Sequence, residues 1–414
     1  MILISRFLPA SASPDAARLV AARMVRSFAD GLVSVLLPSY LLALGFSAVQ
    51  VGGIATATML GSAALTLAVG LQAHRYEARP LLFGACTLML LTGLGFAAFG
   101  MAHAPLLVPL VIIAVVGTLN PSAGDVSVFL PLEQSLLANA VQERDHAALY
   151  ARSNVAANAM AALGALASAF PAPLAALLEI SVLEAMSAAF LIYALAGAVA
   201  FALYTGLRVQ ASAGDAASRA PLVKSRRIVL TLSALFTLDS FAGGFVVQSL
   251  LALWLFQRFQ FSLVDAAGFF FATSLLSGMS QLLSPVLARR IGLIPTMVFT
   301  HLPANVFLML AALMPSAELA VLFLLLRMAL ASMDVPARQA FVMAVVPPEE
   351  RAAAASVTNV PRSLGTGLAP LASGYLLAHS DFGWPLLIAG GLKVVYDLLL
   401  LHGYRHHVAS RLSS

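Results

Sequence analysis

Apolar runs long enough to cross a bilayer follow one another along this whole chain, separated by short clusters of turn-forming and charged residues. A helix needs ~20 residues to traverse ~30 Å of hydrocarbon. Runs near that length fall at about 17–43, 48–73, 80–101, 105–140, 147–170, 183–208, 228–257, 262–288, 295–314, 317–346, 352–379 and 383–404. Only 10% of the residues are charged, 61% are hydrophobic and the mean hydropathy is +0.94, which leaves too little polar surface for a water-soluble domain. The expected fold is an all-α membrane protein, with twelve transmembrane helices in two six-helix, pseudo-symmetric bundles. The bundles are residues 1–208 and 228–414. The stretch 209–227, rich in small polar residues and carrying four basic groups, reads as a solvated cytoplasmic linker.

The second half copies the first. Without a gap, Pro131, Gln134, Val141, Asn154, Val155 and Leu163 recur 205 positions later as Pro336, Gln339, Val346, Asn359, Val360 and Leu368. A second local match sets Ser27-Phe-Ala-Asp-Gly31 against Ser240-Phe-Ala-Gly-Gly244, so spans one and seven share an origin. An even number of spans separates the copies. They therefore run in the same direction, as in a parallel repeat about an axis along the membrane normal. Arg75, Arg79, Arg144, Arg219 to Arg227, Arg289, Arg290, Arg351, Arg405 and Arg411 gather on one side of this layout. The positive-inside rule makes that side, with both termini, cytoplasmic, and orientation rather than nucleic-acid binding accounts for the net charge of +5. The first residues lack a signal-peptide cleavage context. The single Cys86 excludes an intrachain disulfide.

Charges inside spans are costly in lipid and mark function or internal pairing. Arg23, Arg26 and Asp30 share one face of span one. A carboxyl in a partly dehydrated cavity can take and release a proton during a cycle, and a fixed Arg26–Asp30 ion pair is the structural alternative. Span four is interrupted at Gly117-Thr-Leu-Asn-Pro-Ser-Ala-Gly124 and followed by Asp125, which makes Asn120 and Asp125 cavity candidates. In span ten, Arg327 lies too deep to reach either interface, and Asp334 precedes Arg338 by four residues. Arg327 suits an anionic substrate group or control of an Asp334 proton. Asn359 and Arg362 open span eleven. Asp239 in span seven ranks below Asp30, and Lys393 with Asp397 reads as a structural pair four residues apart.

The turn after span two, GLQAHRYEARPLL, keeps Gly70, Ala73, Arg75 and Arg79, and the turn after span eight keeps Ala288, Arg290 and Gly292. With twelve spans, a six-plus-six repeat and a central basic linker, the chain resembles the major facilitator superfamily of secondary transporters, in the manner of its drug/proton antiporters. The family pattern is Gly-x-Leu-Ala-Asp-Arg-x-Gly-Arg. His74 stands at its aspartate and Glu77 at its second glycine. The resemblance implies alternating access, with the turn motif latching the cytoplasmic ends by charge pairs. With the aspartate lost, Glu133 is expected to pair with Arg75 or Arg79, or with Arg338 at the repeat-equivalent position, and Arg290 completes the gate candidates.

The chain lacks a P-loop, and no Cys/His spacing fits a metal site or cofactor. The expected protein is a monomeric, multi-pass transporter of the cell's inner membrane. It works on a small molecule, with proton-coupled efflux of an amphipathic or cationic compound and Asp30, Asp125 or Asp334 as proton carrier. The alternative is an organic-anion or small-metabolite porter using Arg327 and Arg362. A receptor or scaffold without transport is the third reading.

Overall fold

The computed structural model describes residues 4, 7–72, 78–121, 128–138, 140–142, 145–208, 224–347 and 350–412. Arg75, Asp125 and most of the linker lie outside the described residues. The helices in order are α1 (Pro14–Ala43), α2 (Ala48–Gln72), α3 (Ala78–Met101), α4 (Leu107–Val116), α5 (Phe129–Ala138), α6 (His146–Ala167), α7 (Pro171–Leu178) and α8 (Val182–Thr205) in the first half. The second half holds α9 (Arg226–Gly244), α10 (Gln248–Phe259), α11 (Leu263–Ile291), α12 (Leu293–Leu313), α13 (Ala317–Ala331), α14 (Asp334–Val345), α15 (Arg351–His379) and α16 (Trp384–Leu412).

These helices make the twelve traverses expected, with span four built from α4 and α5, span five from α6 and α7, span seven from α9 and α10, and span ten from α13 and α14. Among the described residues, eight spans are long and apolar enough to cross a membrane on their own, and the bent pair in span five makes a ninth. The others fail for physical reasons: α1 carries Asp15, Arg18, Arg23, Arg26 and Asp30, span four is interrupted, and α15 is rich in Gly, Ser, Thr and Pro. Span five extends beyond the expected end at 170, bending by 42° where Pro171 starts α7. Local chemistry sets several ends. Ser181 with Glu184 and Ser262 with Asp265 form capping boxes at the starts of α8 and α11. Gly292, at φ 94°, is the single residue joining α11 to α12, a conformation that side chains with a Cβ rarely adopt.

The repeat register read from the sequence reappears as packing. A Cβ on Gly31 would strike the Ala161 carbonyl, clamping span one to span five. Shifted by 213 and 205 positions, the same contact sets Gly244 against the Thr366 carbonyl, clamping span seven to span eleven. The halves meet through other glycines. Gly52 of α2 crosses Gly374 of α15 with no room for a side chain on either, and the Thr56 hydroxyl accepts from the Leu371 N–H at 2.9 Å. Both glycines lie toward the ends of α2 and α15 remote from the chain termini, so this crossing seals that side.

Breaks in spans seven and ten were not expected, and partners satisfy the backbone groups they free. The Tyr193 hydroxyl donates to the Thr118 carbonyl at 2.8 Å in the expected break of span four. Beside it, the Ser249 N–H at the break in span seven donates to the Pro121 carbonyl at 3.1 Å. In span ten, the Met333 carbonyl accepts from the Ser284 hydroxyl of α11 at 2.6 Å. Aliphatic side chains such as Leu91, Val108, Ile112, Leu195 and Leu282 stay more than half exposed, as a lipid-facing surface requires.

Candidate functional site

Each half holds a buried ion pair between its first and fourth spans, and the two pairs are built with opposite polarity. In the first half, the Arg26 guanidinium of α1 donates to Glu133 Oε2 of α5 at 2.5 Å, with both residues buried. Phe129, one turn before Glu133, lies under the guanidinium at 3.9 Å from its ring centre. Tyr204 of α8 donates its hydroxyl to Glu133 Oε1 at 2.5 Å, so both carboxylate oxygens are occupied.

The repeat offsets carry Arg26 onto Asp239 and Glu133 onto Arg338. Arg338 of α14 donates to Asp239 Oδ2 of α9 at 3.3 Å and to Asp334 Oδ2 at 3.0 Å. The aromatic ring has swapped sides with the charge: Phe236 of α9 faces Arg338 at 5.6 Å. A third span closes this pair too, since Lys393 Nζ of α16 meets Asp239 Oδ1 at 2.5 Å. Beyond Lys393 the network continues through α12. His301 Nε2 lies 3.8 Å from Asp239 and its Nδ1 lies 3.0 Å from Asp397, whose other oxygen accepts from Asn305 at 2.9 Å. An imidazole with one N–H can donate to only one of these two carboxylates, and one with both nitrogens protonated can donate to both.

Several expectations change. Arg26 does not pair with Asp30, because Glu133 already holds it. Among the described residues Asp30 makes no hydrogen bond or ion pair, although it is only one turn from Arg26. Glu133 does not reach Arg79, which donates to the Thr205 carbonyl at 2.5 Å instead, and Glu133 and Arg338 do not pair across the halves. Lys393 and Asp397 do not pair with each other. Two buried carboxylates need donors, and Lys393 neutralises Asp239 while neutral or titratable groups serve Asp397.

Asp334 and Arg338, four residues apart, form an ion pair at 3.0 Å. Arg327 has its Nε buried without a hydrogen-bond partner and one terminal nitrogen 3.2 Å from the Met328 sulfur. Arg362 bonds Ser240 Oγ at 3.1 Å and Asn359 Oδ1 at 3.3 Å. On span one, Arg23 bonds Asn154 Oδ1 at 2.8 Å, so both repeat-related asparagines hold an arginine. Asn120 is buried at the break in span four, and Arg290 is exposed at the end of α11. Sequence reasoning missed His301 and Asn305 and gave Asp239 no ion-pair partner. The offset of 213 that joins spans one and seven would have set Asp239 opposite Arg26.

A model of the Major Facilitator Superfamily matches residues 19–333 and 306–413. An uncharacterised membrane protein of Saccharomyces cerevisiae is 23% identical over 434 residues, covering 94% of this chain and 94% of that protein. The nucleoside transporter NupG superposes with a TM-score of 0.68 at 16% identity, covering 94% of this chain and 98% of that one. The xylose transporter XylE of E. coli, in an inward-open conformation, gives 0.73 at 13% identity, covering 92% and 94%. A family match over nearly the whole length joins the paired halves and their buried charges to one conclusion: the chain belongs to the Major Facilitator Superfamily, and it is a secondary transporter and not an enzyme.

Proposed function

We propose that the protein exports a cationic or amphipathic compound in exchange for protons, with Asp30 as the exchange site. The observation that carries this reading is the unpaired state of Asp30, a carboxyl midway along α1 whose neighbouring arginine is held by Glu133. A lone carboxyl can take a proton or a cationic substrate group, but not both at once. Competition for one site is the simplest source of antiport. Asp125 and Asp334 are secondary carriers, and Asp334 is already engaged by Arg338. The basic loops support cytoplasmic termini, and the reading is completed by a cell inner membrane location, two bundles divided at 209–227 and a monomeric unit.

The test uses purified protein in liposomes with an imposed pH gradient and a fluorescent lipophilic cation. Asp30→Asn is expected to abolish gradient-driven cation movement while the protein stays folded. Undiminished movement would overturn the assignment. A second reading, a porter of organic anions, draws on Arg327, whose buried Nε lacks a partner. It predicts that Arg327→Ala loses uptake of organic acids while cation movement persists.

A further inference from the structure

Where spans seven and twelve end on the side of the termini, the outer face of the bundle holds a cavity of about 570 Å³. Its rim is basic, with Lys224, Arg227 and His402, and its walls are Ile228, Leu235 and Leu399. Among the described residues, the lining contains no acidic group. Glu350, the carboxylate tied to this turn, is buried and accepts from the backbone N–H groups of Lys224 and Ser225 and from the Ser225 hydroxyl. Because Ser225 spends its hydroxyl there, α9 starts without a side-chain cap, and its first turn borders the cavity with its positive dipole end.

The walls belong to the lipid face. Leu399 is 48% exposed and its neighbour Leu398 52%, and both lie within the last turns of the apolar stretch Trp384–Tyr404. From Arg227 to Leu235 the groove runs ~12 Å along α9 at 1.5 Å per residue, the scale of the upper part of an acyl chain. Space at the rim comes from Gly403, where a Cβ would meet nothing within 4 Å, and from the helix kink at Tyr404. Another cavity of about 610 Å³, lined by Val49, Phe245, Leu368 and Tyr375 among others, has no charged group among its described residues and suits hydrocarbon.

We propose that the cavity between α9 and α16 binds an anionic phospholipid, with the phosphate against Arg227 and His402 and one acyl chain along Leu235 and Leu399. Basic pockets at the ends of transmembrane helices bind anionic headgroups through charge while the tail remains in hydrocarbon. Such a lipid would brace the entry of span seven, which carries Asp239, against span twelve, which carries Lys393.

Native mass spectrometry of the full-length protein in detergent tests the site with phosphatidylglycerol, phosphatidylcholine and inorganic phosphate as separate probes. Phosphatidylglycerol adducts are expected to survive and phosphatidylcholine adducts to be lost. R227Q/H402Q should cut phosphatidylglycerol retention about fivefold or more, from roughly 1 kcal/mol per basic residue at the surface. Gly403→Leu, which fills the groove and keeps the charges, should also reduce retention. R289Q/R290Q, which removes two charges elsewhere on the same side, should not. Equal retention by R227Q/H402Q and the unaltered protein would overturn the proposal, as would phosphatidylcholine binding as well as phosphatidylglycerol. Displacement of phosphatidylglycerol by inorganic phosphate would instead identify a small-anion site and reject the lipid.

Discussion

Replacing Glu133 by Gln removes a charge and leaves the shape almost unchanged. The amide oxygen can still accept from Tyr204, so the loss falls on Arg26, whose guanidinium keeps only the Phe129 ring beneath it. A buried pair broken from one side costs about 3–5 kcal/mol, because the remaining charge is uncompensated. Asp30, four residues along the same helix, is the available rescue. A contact at ~4 Å gains about 4 kcal/mol at an effective dielectric of ~20, and ordering both side chains takes back roughly 2 kcal/mol of it. The net loss for Glu133→Gln is therefore about 1–3 kcal/mol, and the rescue has a signature. Asp30→Asn should destabilise the Glu133→Gln protein by roughly 1–2 kcal/mol more than it destabilises the unaltered one. Arg26→Met with Glu133→Gln should recover most of the loss, because no buried charge remains. Cys86 supplies the assay. As the chain's sole cysteine, 1% exposed, it reacts with a fluorogenic maleimide only on unfolding, so thermal ramps need no introduced reporter. If Glu133→Gln melts with the unaltered protein, or if the Arg26→Met change brings no recovery, Arg26 is not a buried charge held by Glu133.

In the second half, Asp239→Asn deprives both Arg338 and Lys393 of a carboxylate, whereas Asp397→Asn removes a partner only from His301 and Asn305. The first should cost about 3–5 kcal/mol and the second about 1–2 kcal/mol in the same thermal assay. Gly31→Ala drives a methyl group into the Ala161 carbonyl and should cost about 1–3 kcal/mol, while Gly84→Ala, facing open space inside α3, should raise the melting temperature slightly because Ala is the better helix former.

The twelve traverses were legible because hydrocarbon thickness dictates run length, and because turn clusters punctuate the apolar stretches at that spacing. The break in span four was legible too, from Gly117 and Pro121. Those in spans seven and ten were not, since Gly243-Gly244 and Ser332-Met333 look like ordinary small or apolar helix residues. What opens those helices is a partner that receives the freed backbone, Pro121 for one and Ser284 for the other. Spacing within one helix also misled. Residues four apart suggested Arg26 with Asp30 and Lys393 with Asp397, yet in both cases a carboxylate on another span took the cation. A pair along one helix leaves a carboxylate on the facing span without a counter-charge. An unneutralised buried carboxylate costs several kcal/mol, so the pairing between spans wins.

The two ion pairs show why a comparison of identical residues overlooks what the halves share. Proline, glutamine and asparagine recur at the offset of 205 and mark the copy, but Glu133 against Arg338 and Arg26 against Asp239 score as mismatches of the worst kind. Read as pairs, they are one solution with its sign reversed, down to the ring that follows the carboxylate's helix. An ion pair is indifferent to which helix carries which charge, so a duplicated bundle can exchange both members and keep the clamp. The consequence concerns motion. Each half neutralises its own buried pair between its own first and fourth spans, so one half can rock against the other without separating buried opposite charges. Among the described residues, Asp30 in the first half and Arg327 in the second lie outside these clamps, as do Arg23 and Arg362, which bond the two repeat-related asparagines.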